Sequence, residues 1–151
     1  MDKQFEIFKK TRQFMLNYIS ELNVVQLNKI PAGFNNNIIW HLGHVIAAQQ
    51  GVCYRRAGLP YVITETFFEL YKPGTKPEIL LGELEIEDIK LLLLSTIDKL
   101  EEDYKADQFK NIQAWTTRYD IELSNIDETI QFLMVHDGLH FGNIMAMKKL
   151  V

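Results

Sequence analysis

The sequence predicts an all-α protein, a four-helix bundle with two long inter-helix connections. Apolar residues recur at helical intervals in four segments. Capping and stop residues stand at the ends of those segments. Two gaps between segments exceed the ~12–15 residues beyond which a connection in a compact fold usually serves function.

The first helix runs from Lys3 to Leu22, with Phe8, Met15, Tyr18 and Leu22 on one face. Leu27 to Phe34, holding Pro31 and Gly33, reads as a loop. Asn35 or Asn36 then caps a second helix that reaches about Ala57, where Gly58 and Pro60 stop it. The first long connection, 59–82, contains Pro60, Pro73-Gly74 and Pro77, and its Tyr61-Val62-Ile63 has strand propensity. Acidic Glu83, Glu85, Glu87 and Asp88 suit the positive end of a third helix. That helix would bury Ile89, Leu93, Thr96, Ile97 and Leu100 and end near Lys105. A second connection, 106–123, precedes a fourth helix capped by Ser124. Four amphipathic helices of this size form a bundle.

Composition narrows the functions open to such a bundle. The 151 residues read as one domain, 1–151, and 47% apolar content with 24% charged is that of a globular chain. Sixteen basic against 20 acidic residues leave a net charge of −4, which argues against a nucleic-acid partner. No apolar run reaches the ~18 residues of a membrane span. Cys53 is the only cysteine, so neither a disulfide framework nor a CxxC site exists. The polar start Met1-Asp2-Lys3-Gln4 has no signal-peptide character, and a cytoplasmic location is expected.

The chemistry concentrates in the histidines. All four lie in two short clusters, Trp40-His41-Leu42-Gly43-His44 and His136-Asp137-Gly138-Leu139-His140. Spacings of three and four put each pair on one side of its helix. At about 100° per residue, His136, His140, Leu133, Ile144 and Met147 fall within an arc of about 80°, so both histidines point inward. On the second helix His44 shares its face with Asn37, Ala48, Gly51 and Arg55, and the small residues leave room before it. Bundle interiors hold metal sites built from facing helices, and imidazole is the commonest metal ligand. A lone inward histidine is more often a satisfied core residue; with an HxxxH pair and another inward histidine, the core and metal readings both stand. A zincin reading fits poorly, because Asp137 replaces the Glu of HExxH and the eleven residues after His140 offer no His, Asp or Glu.

These residues carry a family likeness. Asn35 to His44, together with His136-Asp137-Gly138-Leu139-His140-Phe141-Gly142, resembles the DinB/YfiT-like superfamily, and Gly74-Thr75-Lys76-Pro77-Glu78 is similar to a smaller branch of it. The resemblance implies a four-helix bundle, often a homodimer, holding a divalent metal ion (Ni, Zn or Fe) through His44, His136 and His140. It implies thiol-dependent transferase or isomerase chemistry with a low-molecular-weight thiol, and the reading is a metal-dependent enzyme, a thiol-linked transferase or a hydrolase-like activity, acting on such a thiol or another small molecule. The alternative is a non-catalytic metal-binding or stress-response dimer.

Within that frame His41 and Asp137 are candidates for a supporting shell around the ligands. His41 lies about 60° from His44 around the helix, so the two cannot both point straight at one ion. Ordinary histidines would make metal affinity fall as pH drops through about 6.5. Glu21, Glu65, Asp137 and Tyr119 are candidate polar neighbours, and Arg55 could meet an anionic substrate. Cys53, about 180° from His44, is expected away from the site, and Trp40 is expected to wall it. Gly138 and Gly142 face away from the histidines, and each costs about 1 kcal/mol of helix propensity. They predict a close helix approach, either to a second copy or within the chain.

Overall fold

A computed structural model describes residues 1–151. Four long helices dominate, and α1 (Asp2–Ile19) comes first. A short α2 (Val24–Asn28) leads to α3 (Ile38–Gln49), and α4 (Glu65–Tyr71) lies in the first connection. The last two long helices are α5 (Glu83–Lys105) and α6 (Ile126–Lys148). α1 and α3 each pack on both α5 and α6, which is the expected bundle. No helix is long and apolar enough to cross a membrane.

Several ends shift from the sequence reading. Asn37, rather than Asn35 or Asn36, caps α3, its side chain accepting from Trp40 N–H. Its amide also donates to the Asn28 carbonyl at 2.9 Å, a partner that only the folded chain supplies. Asn125, rather than Ser124, caps α6 through Glu128 N–H. The first helix stops at Ile19, short of Leu22, because a turn leads into α2, which Asn23 and Gln26 cap reciprocally. Tyr61-Val62-Ile63 forms no strand. The strand pair lies instead in the second connection, where β1 (Trp115–Thr116) runs antiparallel to β2 (Glu122–Leu123).

After Gln49 the backbone widens into a π-helical turn, Gln50–Tyr54, then tightens to a 3₁₀ turn, Arg55–Ala57. Gly58 ends the segment in the left-handed region at φ 71°, the stop the sequence predicts.

The core is layered along the helices. One apolar cluster joins Ile19, Val45, Leu93 and Ile144 among others. A second joins Phe8, Cys53, Ile97 and Leu133. Between them lies a buried polar layer with a residue from each long helix: Arg12, Gln49, Thr96 and Asp137. Arg12 Nε donates to Asp137 Oδ2 at 2.7 Å, Nη1 to Gln49 Oε1 at 2.9 Å and the Leu93 carbonyl at 3.0 Å, and Nη2 to the Val45 carbonyl at 3.2 Å. A guanidinium can be buried only when its fork of donors is met in this way. The layer therefore fixes how α3 and α6 sit against each other, and those are the helices that carry the histidines.

Candidate metal centre

His41 and His44 sit on α3, whose residues are all buried, and His136 and His140 sit on α6. One ring nitrogen each from His44, His136 and His140 lies within 4.8 Å of the others. The ring centroids of His44 are 5.4 Å from His136 and 4.6 Å from His140. The inward direction read from helical spacing thus brings these three together.

The far side of each ring is engaged differently. His44 Nδ1 is 2.8 Å from the Tyr71 carbonyl, so Nδ1 carries the proton and donates, leaving Nε2 with a lone pair. Gly43 makes that contact available. A Cβ there would overlap the Tyr71 ring, so only glycine lets α4 seat against α3 at this depth. His140 Nδ1 lies 2.7 Å from His41 Nδ1, which places His41 behind His140. His136 Nδ1 is buried without a hydrogen bond, and Asp137 Oδ1, equally unpartnered, stands 3.8 Å away. Trp40 stacks on His44 at 4.7 Å with an interplanar angle of 13°, and its Nε1 donates to Thr75 Oγ1 at 3.2 Å.

Burial favours the neutral form of His41, His44 and His140. The pKa values of His41 and His44 fall to about 4, chiefly through loss of solvent. That of His140 falls to about 2, through burial and then the charges His136, His44, His41 and Arg118 would exert. Neutral rings with free lone pairs are the form a cation requires.

The histidines open on a cleft of about 850 Å³. Ala48 and Gly51 line it, as the face of His44 predicts, and so does Arg55. Both long connections reach it, the first through Phe68, Pro73 and Gly74 and the second through Gln113, Trp115 and Arg118. Glu21, Glu65, Asp137 and Tyr119 do not line it. Asp137 is turned into the core by Arg12, so it has no general-base position facing the cleft. Cys53 is fully buried in the second apolar cluster, where loss of solvent pushes its thiol pKa up. Arg12, Arg56, Arg118 and Tyr71 escaped sequence reasoning. Only Arg12 left a trace, as a charge on the buried stripe between Phe8 and Met15.

A family model described as the DinB superfamily matches residues 7–144. The chain belongs to the DinB superfamily. No curated protein matches it. Membership of the DinB superfamily and the partly buried three-histidine group are both consistent with metal binding.

Proposed function

We propose that this DinB-superfamily protein binds one divalent cation (Ni, Zn or Fe) through His44, His136 and His140 and is a metal-dependent enzyme. A low-molecular-weight thiol or water is the nucleophile. The observation that carries the reading is the convergence of three imidazoles, two of which, His44 and His140, have their rear nitrogens against protein groups. Three protein ligands leave coordination positions open, the pattern of catalytic rather than structural sites. A cation held there supplies Lewis acidity and lowers the pKa of a coordinated thiol or water.

The chain's own residues set up that chemistry. The Tyr71 carbonyl fixes the His44 tautomer and ring plane. With His140 in the Nδ1–H tautomer, His41 Nδ1 at 2.7 Å would accept from it and His140 Nε2 would be left to bind. Asp137 is the nearest carboxylate for His136 Nδ1–H. Trp40 and Phe132 wall the cleft and limit water.

Reconstitution at pH 8 should give one nickel, zinc or iron per chain, and stoichiometry near zero with all three overturns the site. The loaded protein should join a small thiol to an electrophile and lose that activity with a chelator. A loaded protein inert to thiol and ester substrates favours the non-catalytic reading.

A homodimer is part of the proposal. Gly138 and Gly142 are exposed, and a Cβ at either would meet nothing within 4 Å, so no helix of the same chain packs on them. Val135 and Leu139 on the same stretch of α6 are 59% and 51% exposed, an apolar face for a second copy. A monomer mass by light scattering counts against it. The cytoplasm is the proposed location, in keeping with a lone free thiol.

A further inference from the structure

The chain has four arginines. Arg12 is spent in the core, and the other three, Arg55, Arg56 and Arg118, all line the cleft in front of the histidines. None of these three forms an ion pair, while nine of the lysines do. No aspartate or glutamate is among the 21 residues lining the cleft, in a chain with 20 acidic residues. Positive charge is therefore gathered and left uncompensated at one place on a protein of net charge −4.

The arrangement is built, not loose. Arg55 and Arg56 come from the 3₁₀ turn after α3, and Arg118 comes from the segment between β1 and β2. Gln113 N–H, just before β1, donates to the Arg56 carbonyl at 2.9 Å and ties the second connection to the 3₁₀ turn. The Arg56 guanidinium lies over the Trp115 ring, 4.7 Å from its centroid, which holds its plane. Asn36 Oδ1 is buried and unpartnered at the same cleft. Trp40, Trp115 and Phe132 supply apolar wall beside the charges. Planar guanidinium forks match carboxylate and phosphate oxygens.

We propose that the cleft takes a small organic anion, with an apolar body against the aromatic walls and a carboxylate or phosphate end held by Arg55, Arg56 and Arg118. The arginine grip stands on its own; that the opposite end reaches a metal at the histidines rests on the proposed metal centre. The chain has two tryptophans and both line the cleft, so its intrinsic fluorescence reports occupancy.

Chelator-treated protein is titrated with benzoate, phenyl phosphate and benzyl alcohol, and zinc binding is measured separately by calorimetry. At least one anion should saturate the signal while benzyl alcohol does not, and the anion that binds more tightly identifies the acidic end. Arg56→Gln combined with Arg118→Gln should weaken it about tenfold or more, the loss expected of one charge-assisted hydrogen bond. The pair Arg56→Lys and Arg118→Lys should recover part of that loss. These side chains reach the surface, so circular dichroism should show intact helices. Equal binding of all three probes, no saturable binding, or indifference to the arginine changes overturns the proposal. Anion binding that appears only with zinc and vanishes in His136→Ala, with the arginines irrelevant, also overturns it while sparing the metal centre. Arginine-dependent binding in a protein that takes up no zinc upholds the grip and sinks the metal reading.

Discussion

Arg12 and Arg118 carry the same group to opposite ends. Arg12 has no exposed surface, and partners on α3, α5 and α6 meet its donors. Arg118, like Arg55 and Arg56, has no carboxylate within ion-pair distance. The core admits a charge only when the chain supplies its complement, so Arg12 serves the fold. At the cleft the chain withholds the complement, which leaves it to a molecule from outside.

The contrast predicts a descending series of effects. Asp137→Ala should cost about 3–5 kcal/mol in urea unfolding, because it strands a buried guanidinium. Arg12→Met with Asp137→Leu should lose less than either change alone. A double variant as unstable as the sum of its parts would mean the pair does not act as a unit.

His44→Ala should abolish stoichiometric metal binding, whereas His41→Ala should weaken it by about 10–100-fold, the usual effect of losing a group behind a ligand. The reverse order by metal titration, with both variants folded, would rebuild the site around His41.

Acid should act on the fold before it protonates the buried histidines in place. His41, His44 and His140 titrate near 6.5 when unfolded, and their folded values are depressed to about 4, 4 and 2. The unfolded chain therefore takes up more protons, so the stability they contribute is full above about pH 6.5 and declines as pH falls toward 4. The loss should be about 1 kcal/mol or more per histidine, since each pKa unit is worth about 1.4 kcal/mol. At the proposed metal centre, proton competition at His44 and His140 should therefore move below the pH 6.5 of an ordinary imidazole. Metal-free protein equally stable at pH 7 and pH 4.5 would contradict this.

The smallest effect marks the other side of the contrast. Arg55→Gln and Arg118→Gln should leave the urea midpoint within about 0.5 kcal/mol of the parent, as surface changes do. A large loss would show that these arginines serve the fold after all.

Long-period features were legible in the sequence. The stop at Gly58, the end of α5 at Lys105 and the inward turn of His44, His136 and His140 all follow from 100° steps and cap chemistry. Short elements were not, because five residues of α2 or two-residue strands are too few to display a period. Nor were the partners that come from afar. Arg12 meets Asp137 across 125 residues, and His44 meets a backbone carbonyl, which has no residue identity to read.

The widened turn at Gln50–Tyr54 has a consequence for how the chain can change. A π-type turn takes in an extra residue without breaking the helix. Removing one residue from 50–54 would restore ordinary winding, because the widening already takes up the angle of the extra residue, and would leave Arg55 and Arg56 facing nearly the same way. The histidines upstream and the charges downstream would both keep their places. Chain length in this one turn can thus change by a residue while the basic end of the pocket and every imidazole keep their aim.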